Sequence, residues 1–284
     1  MNYAFRNGKI LDGTKEMKIQ QGLCILVENG IITDLIPDAN ADLHNYKVID
    51  LHGQYILPGL INMHVHLAGN GKPQKKQRNN ENLVAAHVES PEGVRVALEN
   101  GVDSIEHGAK LDNSMIRLFQ ERGAFLCTTI SPALPYALFD SSITHATEVE
   151  QYNGNIVFKG IIDCAKAALA NDIPVVLGND VGCPWITQYD FWRELYYFHK
   201  YVGVSNSFAI YTATKRSAEL AGIGHITGSI EKGKSADMIV TAKNPLKDLR
   251  ALRNLEMVIA KGSLFDHPKI KKRKQVEKEL DKFL

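Results

Sequence analysis

The stretch Leu57-Pro58-Gly59-Leu60-Ile61-Asn62-Met63-His64-Val65-His66 decides how the rest of the chain is read. Pro58-Gly59 closes one apolar run, Tyr55 to Leu57, and Leu60-Ile61 opens a second that leads into His64. Residues two apart on a strand point to the same side, so the His64 and His66 imidazoles share one face. Neutral imidazole is a favoured ligand for zinc and its neighbours. A His-x-His pair is also found hydrogen-bonded within a core, so the downstream residues have to discriminate.

Downstream, strand and helix alternate. Ser90-Pro91-Glu92 is a helix start, with a capping hydroxyl and proline in the first turn. Val94, Ala97 and Leu98 then share one apolar face before Asn100-Gly101 stops the helix. Val102 to Glu106 reads as a strand ending at His107, Asp112 to Arg122 as a helix, and Ala124 to Ile130 as the next strand. Ile156 to Ala170 is amphipathic, Pro174 to Asn179 is a strand running into Asp180, and Ser205 to Ala221 is the last helix of the series. This order argues for a parallel sheet or barrel. Strands leading to His64, His87, His107, Ile130 and Asp180 are visible, where a (β/α)8 barrel has eight in units of roughly 30 residues. Residues 67–86 are too few for a full unit plus a strand.

The chain ends differ from the middle. Met1 to Arg6, Gln21 to Val27 and Ile31 to Ile36 are short apolar segments, and Asn29-Gly30 has hairpin chemistry because both residues tolerate positive φ. Asp237 to Ala242 and Glu256 to Ala260, followed by Lys261-Gly262, repeat the pattern. The expected fold is α/β: an incomplete (β/α)8 TIM-type barrel over residues 58–228, with about five strands visible. A small β-sandwich domain is formed by both termini (1–57 and 229–266), and a helical tail covers 267–284. Tyr3 to Ile36 is expected to pair against Met238 to Ala260.

In this frame His64, His66, His87, His107 and Asp180 each follow a strand, so all converge at the C-terminal mouth of the barrel. The bland alternatives are a helix-capping or turn aspartate for Asp180 and hydrogen-bonded core histidines for His87 and His107. His44, His52, His145, His199, His225 and His267 have no such context and read as surface or loop residues. The 33 basic and 32 acidic residues balance to +1, which gives no electrostatic reason to expect nucleic acid or an anionic membrane as partner. No apolar run approaches the roughly 18 residues of a bilayer span. Cys24, Cys127, Cys164 and Cys183 form no Cys-x-x-Cys pair and read as buried free thiols of a reducing cytoplasm. Lys269 to Lys274 reads as part of a solvated terminal helix, with Leu280 and Leu284 touching the body.

The motifs resemble the amidohydrolase superfamily. Leu57 to His66 is similar to its strand-one signature. Val84-Ala85-Ala86-His87 with Ser90-Pro91-Glu92-Gly93 resembles the strand-five histidine segment, and Asp103-Ser104-Ile105-Glu106-His107-Gly108 the strand-six one. Val176-Leu177-Gly178-Asn179-Asp180 resembles the strand-eight aspartate, with Asn179 where Thr or Ser is more usual. Ala213-Thr214 through Ala218-Glu219-Leu220, then Gly228-Ser229-Ile230 and Gly233 to Asp237, resembles the return into the small β domain. The imidazolonepropionase-like and Xaa-Pro or Xaa-Arg dipeptidase branch is nearest. The resemblance implies a metal-dependent hydrolase of C–N bonds, with a dipeptide, other small molecule or cyclic amide as substrate. It implies a divalent metal, zinc first, as one or two ions held by His64, His66, His87, His107 and Asp180, with Asp180 as general base and acid. A deaminase with the same ligands and a non-catalytic remnant are the rivals.

The superfamily's binuclear branch also bridges its metals with a carboxylated lysine on strand four. Between Arg78 and Leu83 the chain jumps from what resembles the strand-one loop to strand five, about 90 residues short at roughly 30 per unit. A true deletion, or a longer parent that retains this segment, would each account for the jump, and the backbone over residues 76–84 should discriminate. Lys72, Lys75 and Lys76 lie in a polar run and are poor substitutes for the bridge; Lys110 follows His107 and could line the mouth. An open barrel has edges that another chain would cover, so a homo-oligomer is among the expected states.

Overall fold

The computed structural model describes residues 2–66 and 83–284. The chain forms two compact units, Met1–Ile61 with Val204–Lys271, and Asn62–Gly203 with Lys272–Leu284. In chain order the first unit contributes β1 (Tyr3–Arg6), β2 (Lys9–Leu11), β3 (Ile19–Gln20), β4 (Leu23–Glu28), β5 (Ile31–Pro37), β6 (Lys47–Asp50) and β7 (Tyr55–Pro58). The second contributes β8 (Ala85–Val88), β9 (Ser104–His107), β10 (Phe125–Thr128) and β11 (Val175–Leu177). The chain then returns to the first with β12 (Met238–Thr241), β13 (Met257–Ala260) and β14 (Ser263–Asp266).

The first unit is two sheets, ordered β5-β4-β1-β6 and β14-β13-β12-β7-β2-β3. Phe5, Ile25 and Val27 from one sheet and Ile10, Ile56, Met238 and Val240 from the other belong to one buried cluster. Named strands of the two chain ends meet through an intermediary, β7, while Ile31 and Ser235 form a direct antiparallel bridge beside it. β7 runs antiparallel to β12 and parallel to β2, because Ile56 and Leu57 are both fully buried and need cover on both faces, as a central strand has. Asn29-Gly30 and Lys261-Gly262 both turn with positive φ at each residue (50° and 83°, 47° and 75°), the two-residue geometry that suits strand twist. The turns abut: a Cβ on Gly262 would lie 2.4 Å from Gly30 Cα, so glycine is required there for room as well as for φ. Ser205 caps a helix, Asn206–Tyr211, which continues through a π turn, Thr212–Arg216, into Ser217–Leu220.

In the second unit β11-β10-β9-β8 form a parallel sheet. Ser90 caps the helix Pro91–Glu99 by accepting from Gly93 N at 3.1 Å. Asp112 caps Asn113–Arg122, which ends at Gly123 with φ 63°. The helix Glu148–Ala170 starts ahead of the expected Ile156, because Thr147 and Glu150 make a reciprocal capping box. The expected strand from Ala124 to Ile130 stops at Thr128, and Ile130–Leu138 is helical despite Pro132 and Pro135. Residues 62–66, expected as a strand, are a ladder bonded to one neighbour. Met63 N donates to Leu177 O (3.0 Å), Asp180 N to His64 O (3.0 Å) and His66 N to Val181 O (2.9 Å), with Val65 and Val181 bridged in parallel. The result is the arc of an incomplete TIM-type barrel, ordered 62–66, β11, β10, β9, β8. The Arg78 to Leu83 junction, the backbone that would test it, and Lys72, Lys75 and Lys76 lie outside the described residues.

The basic run from Lys269 is irregular as far as Arg273, and the helix is Lys274–Leu280. Leu280 is buried. Buried Arg193 pairs with Asp190 (3.4 Å), Glu277 (3.4 Å) and Asp281 (2.6 Å), and so fastens this tail to the helix Phe191–Tyr197. No helix among the described residues is long and apolar enough to cross a membrane. Removing one partner of a buried ion pair costs about 3–5 kcal/mol. Arg193→Met should therefore lower unfolding stability by about that much in urea titrations. A loss under about 1 kcal/mol would show that the tail does not depend on this cation.

Candidate metal centre

The centre is built on the approach of residues 62–66 to the end of β11. A Cβ at Gly178 would lie 2.3 Å from His64 Cβ and 2.7 Å from His64 N, so only glycine lets the two backbones close. Asn62 pins the register: its Oδ1 accepts from His64 N (3.3 Å) and Asn179 N (3.2 Å), and its Nδ2 donates to Asn179 Oδ1 (2.6 Å). Asp180, with φ 56°, turns its carboxylate toward the histidines. His64 Nε2 is 3.2 Å and His66 Nε2 2.9 Å from Asp180 Oδ1, and ligand atoms of the three lie within 4.8 Å of one another. Asp180 Oδ1 is buried and receives no hydrogen bond: both imidazole nitrogens stand near it without the alignment of a donor.

His87 and His107 form an adjacent pair. His107 Nε2 is 2.7 Å from His87 Nδ1, and the His64 and His107 ring centroids are 4.9 Å apart. Two nitrogens bound to one ion at about 2.1 Å each would be about 3 Å apart, close to the spacing found. His107 Nδ1 is hydrogen-bonded to Thr129 Oγ1. The structure thus gathers His64, His66 and Asp180 at one point and sets His87 and His107 beside it. Lys110 is exposed, as are all six histidines read as surface residues.

Glu106 is the partner that strand periodicity does not reveal. Its Oε2 lies 2.7 Å from His64 Nδ1 and its Oε1 accepts from Ser104 Oγ at 2.6 Å. Neighbours on a strand face opposite ways, so Glu106 and His107 should not both reach His64. The φ of 68° at His107 breaks the alternation and lets them. Cys183, expected to be buried, is half-buried, and its Sγ donates to Asp180 Oδ2 at 3.3 Å; Cys24, Cys127 and Cys164 are buried free thiols.

The electrostatics favour positive charge at one end of the cluster. Burial opposes a charge on His64, yet its contacts with Asp180 and Glu106 lift it to about 9. Burial would likewise raise the Asp180 carboxyl, but His64 and the Cys183 thiol hold it down to about 2. Burial, reinforced by His87 and His64, pushes His107 down to about 4, which keeps it a neutral, ligand-ready imidazole. Two carboxylates around His64, one with a buried oxygen lacking any donor, fit a bound cation.

Residues 74–265 match the profile of the amidohydrolase family. An aligned stretch of 78 residues is 38% identical to the dihydroorotase of Syntrophobacter fumaroxidans, covering 26% of this chain and 17% of that one. The dihydroorotase of Bacillus thuringiensis is 38% identical over 86 residues, 30% of this chain and 19% of its own. The alignments therefore span under a fifth of the length of these curated relatives. Among solved structures, a proposed prolidase from Bifidobacterium longum superposes with a TM-score of 0.93 at 25% identity, covering 99% of this chain and 98% of that one. A Xaa-Pro dipeptidase with methionine bound in its active site superposes with a TM-score of 0.79 at 20% identity, covering 94% and 100%.

The closeness of Gly178 to His64 can be tested directly. Gly178→Ala must push residues 62–66 off β11, at the usual overpacking cost of about 1–3 kcal/mol. Thermal unfolding should report that loss, and unchanged stability would mean that the two segments are farther apart.

Proposed function

Because the chain belongs to the amidohydrolase family, we propose that it is a metal-dependent hydrolase of carbon–nitrogen bonds, with a dipeptide as its first substrate class and a cyclic amide as its second. The observation that carries this reading is the convergence of His64, His66 and Asp180 on a buried carboxylate oxygen that no hydrogen bond satisfies. The prolidase and Xaa-Pro dipeptidase neighbours support the dipeptide.

His64, His66 and Asp180 would hold one divalent ion, zinc first, and His87 with His107 would offer ligands to a second. When bound, such an ion polarises a carbonyl and brings the pKa of a water near 7. The protein's own groups do the rest. Glu106 accepts from Nδ1–H of His64, which fixes the ring and leaves the Nε2 lone pair toward the centre. Thr129 orients His107 in the same way. Asp180 takes a proton from the attacking water and delivers it to the leaving amine, the task of a base placed within hydrogen-bond reach of both. The Cys183 thiol, donating to Oδ2, holds the carboxylate in position.

Zinc-loaded protein should release free amino acid from dipeptides; ammonia release instead would assign the deaminase chemistry, and neither product would overturn the catalytic reading. Asp180→Asn should keep bound metal while turnover falls roughly 10²-fold or more, and near-normal turnover would remove Asp180 from its role. Glu106→Gln should weaken zinc affinity about 10- to 100-fold in chelator competition. Unchanged affinity would confine Glu106 to a part in folding.

A further inference from the structure

A pocket of about 580 Å³ opens at His66 and is walled by residues 181–188 together with Arg273 and Val276. Its size falls within the roughly 300–1,000 Å³ of small-molecule sites. Val181, Pro184, Trp185, Ile186 and Val276 make much of the wall apolar, and among the described residues Arg273 is the only lining residue with a permanent charge. The Trp185 indole meets the Phe139 ring edge-on at 5.1 Å, which steadies that side of the pocket.

Arg273 comes from the basic run that sequence patterning assigns to a solvated tail, yet its backbone is tied down. Its N–H donates to Tyr189 Oη at 2.7 Å, and beyond it buried Leu280 and the Arg193–Asp281 pair hold the tail to the unit. Among the described residues the Arg273 guanidinium makes no ion pair and no acidic side chain lines the pocket. A guanidinium left without a carboxylate partner beside an apolar wall is suited to binding one supplied by a ligand, since its planar fork matches a carboxylate with two parallel hydrogen bonds.

We propose that Arg273 binds the free α-carboxylate of the substrate, so that this pocket selects dipeptides or N-acyl amino acids over their uncharged counterparts. The assignment of the pocket to substrate rests on the hydrolase reading above. The scissile amide lies toward His66, the C-terminal side chain packs against Trp185 and Ile186, and the carboxylate reaches Arg273.

The test is calorimetric titration of the zinc-loaded protein with a dipeptide isostere, in which a methylene replaces the amide carbonyl, and with its C-terminal carboxamide. A charge-assisted, bidentate contact predicts that the acid binds at least roughly tenfold more tightly than the amide. Arg273→Gln should bring that ratio close to one, while Arg273→Lys, which keeps the charge, should retain a preference. Equal affinities in the parent protein, a ratio that survives Arg273→Gln, or no binding of either isostere would each overturn the proposal. The expected ratio in a protein that hydrolyses no dipeptide would support the carboxylate site while refuting the catalytic reading. Hydrolysis without acid preference would do the reverse.

Discussion

The centre depends on one backbone register, that of residues 62–66 against 177–181. Three hydrogen bonds set it, and Asn62 repeats the instruction by bonding to both segments. A slip of one residue along a strand turns every side chain to the opposite face, so a register one residue off would point His64 and His66 away from Asp180. The glycines at 178 and 182 make the approach possible, because Cβ atoms there would lie 2.3 Å and 2.8 Å from the Cβ atoms of His64 and His66. The motif is therefore two motifs in contact, and neither positions a ligand without the other.

Charge and strain then concentrate where the register places them. His64 lies between Glu106 and Asp180, an arrangement that calls for positive charge in a half-buried setting. His107 and Asp180 both hold left-handed backbone conformations at the ends of their strands. Such conformations cost about 1–3 kcal/mol each in non-glycine residues and persist only where surrounding contacts impose them. Glu106 reaches His64 from β9 while His107, which follows with positive φ, reaches His87.

Much of this was legible in the residues. The period-two placement of His64 and His66, the capping of Pro91–Glu99 by Ser90 and the paired positive-φ turns at Asn29-Gly30 and Lys261-Gly262 are local signals, and each appears where local chemistry puts it. What was hidden had non-local or contrary causes. Glu106 escaped because alternation on a regular strand sends it away from the site. The helix Ile130–Leu138 escaped because two prolines are unfavourable to a helix, although Pro132 falls in the first turn, where the missing N–H is harmless. Arg273 escaped because the wall it completes, residues 181–188, is distant in the chain. Nothing in a basic run tells which surface it will lie against.

The order of the arc accounts for how the proposed ligands come together among the described residues. In the succession 62–66, β11, β10, β9, β8 every member is hydrogen-bonded to the next. The residues that gather at its mouth come only from these members: His64 and His66 from the first, Asp180 after β11, Thr129 after β10, Glu106 and His107 from β9, and His87 from β8. In the family's numbering these are strands one, eight, seven, six and five, one unbroken run around a closed barrel. The strands without a counterpart among the described residues, two to four, are likewise consecutive. Among the described residues every neighbour contact along 62–66, β11, β10, β9 and β8 is in place. Taking β10 out of the run would instead have separated His64 and Asp180 from His107 and His87.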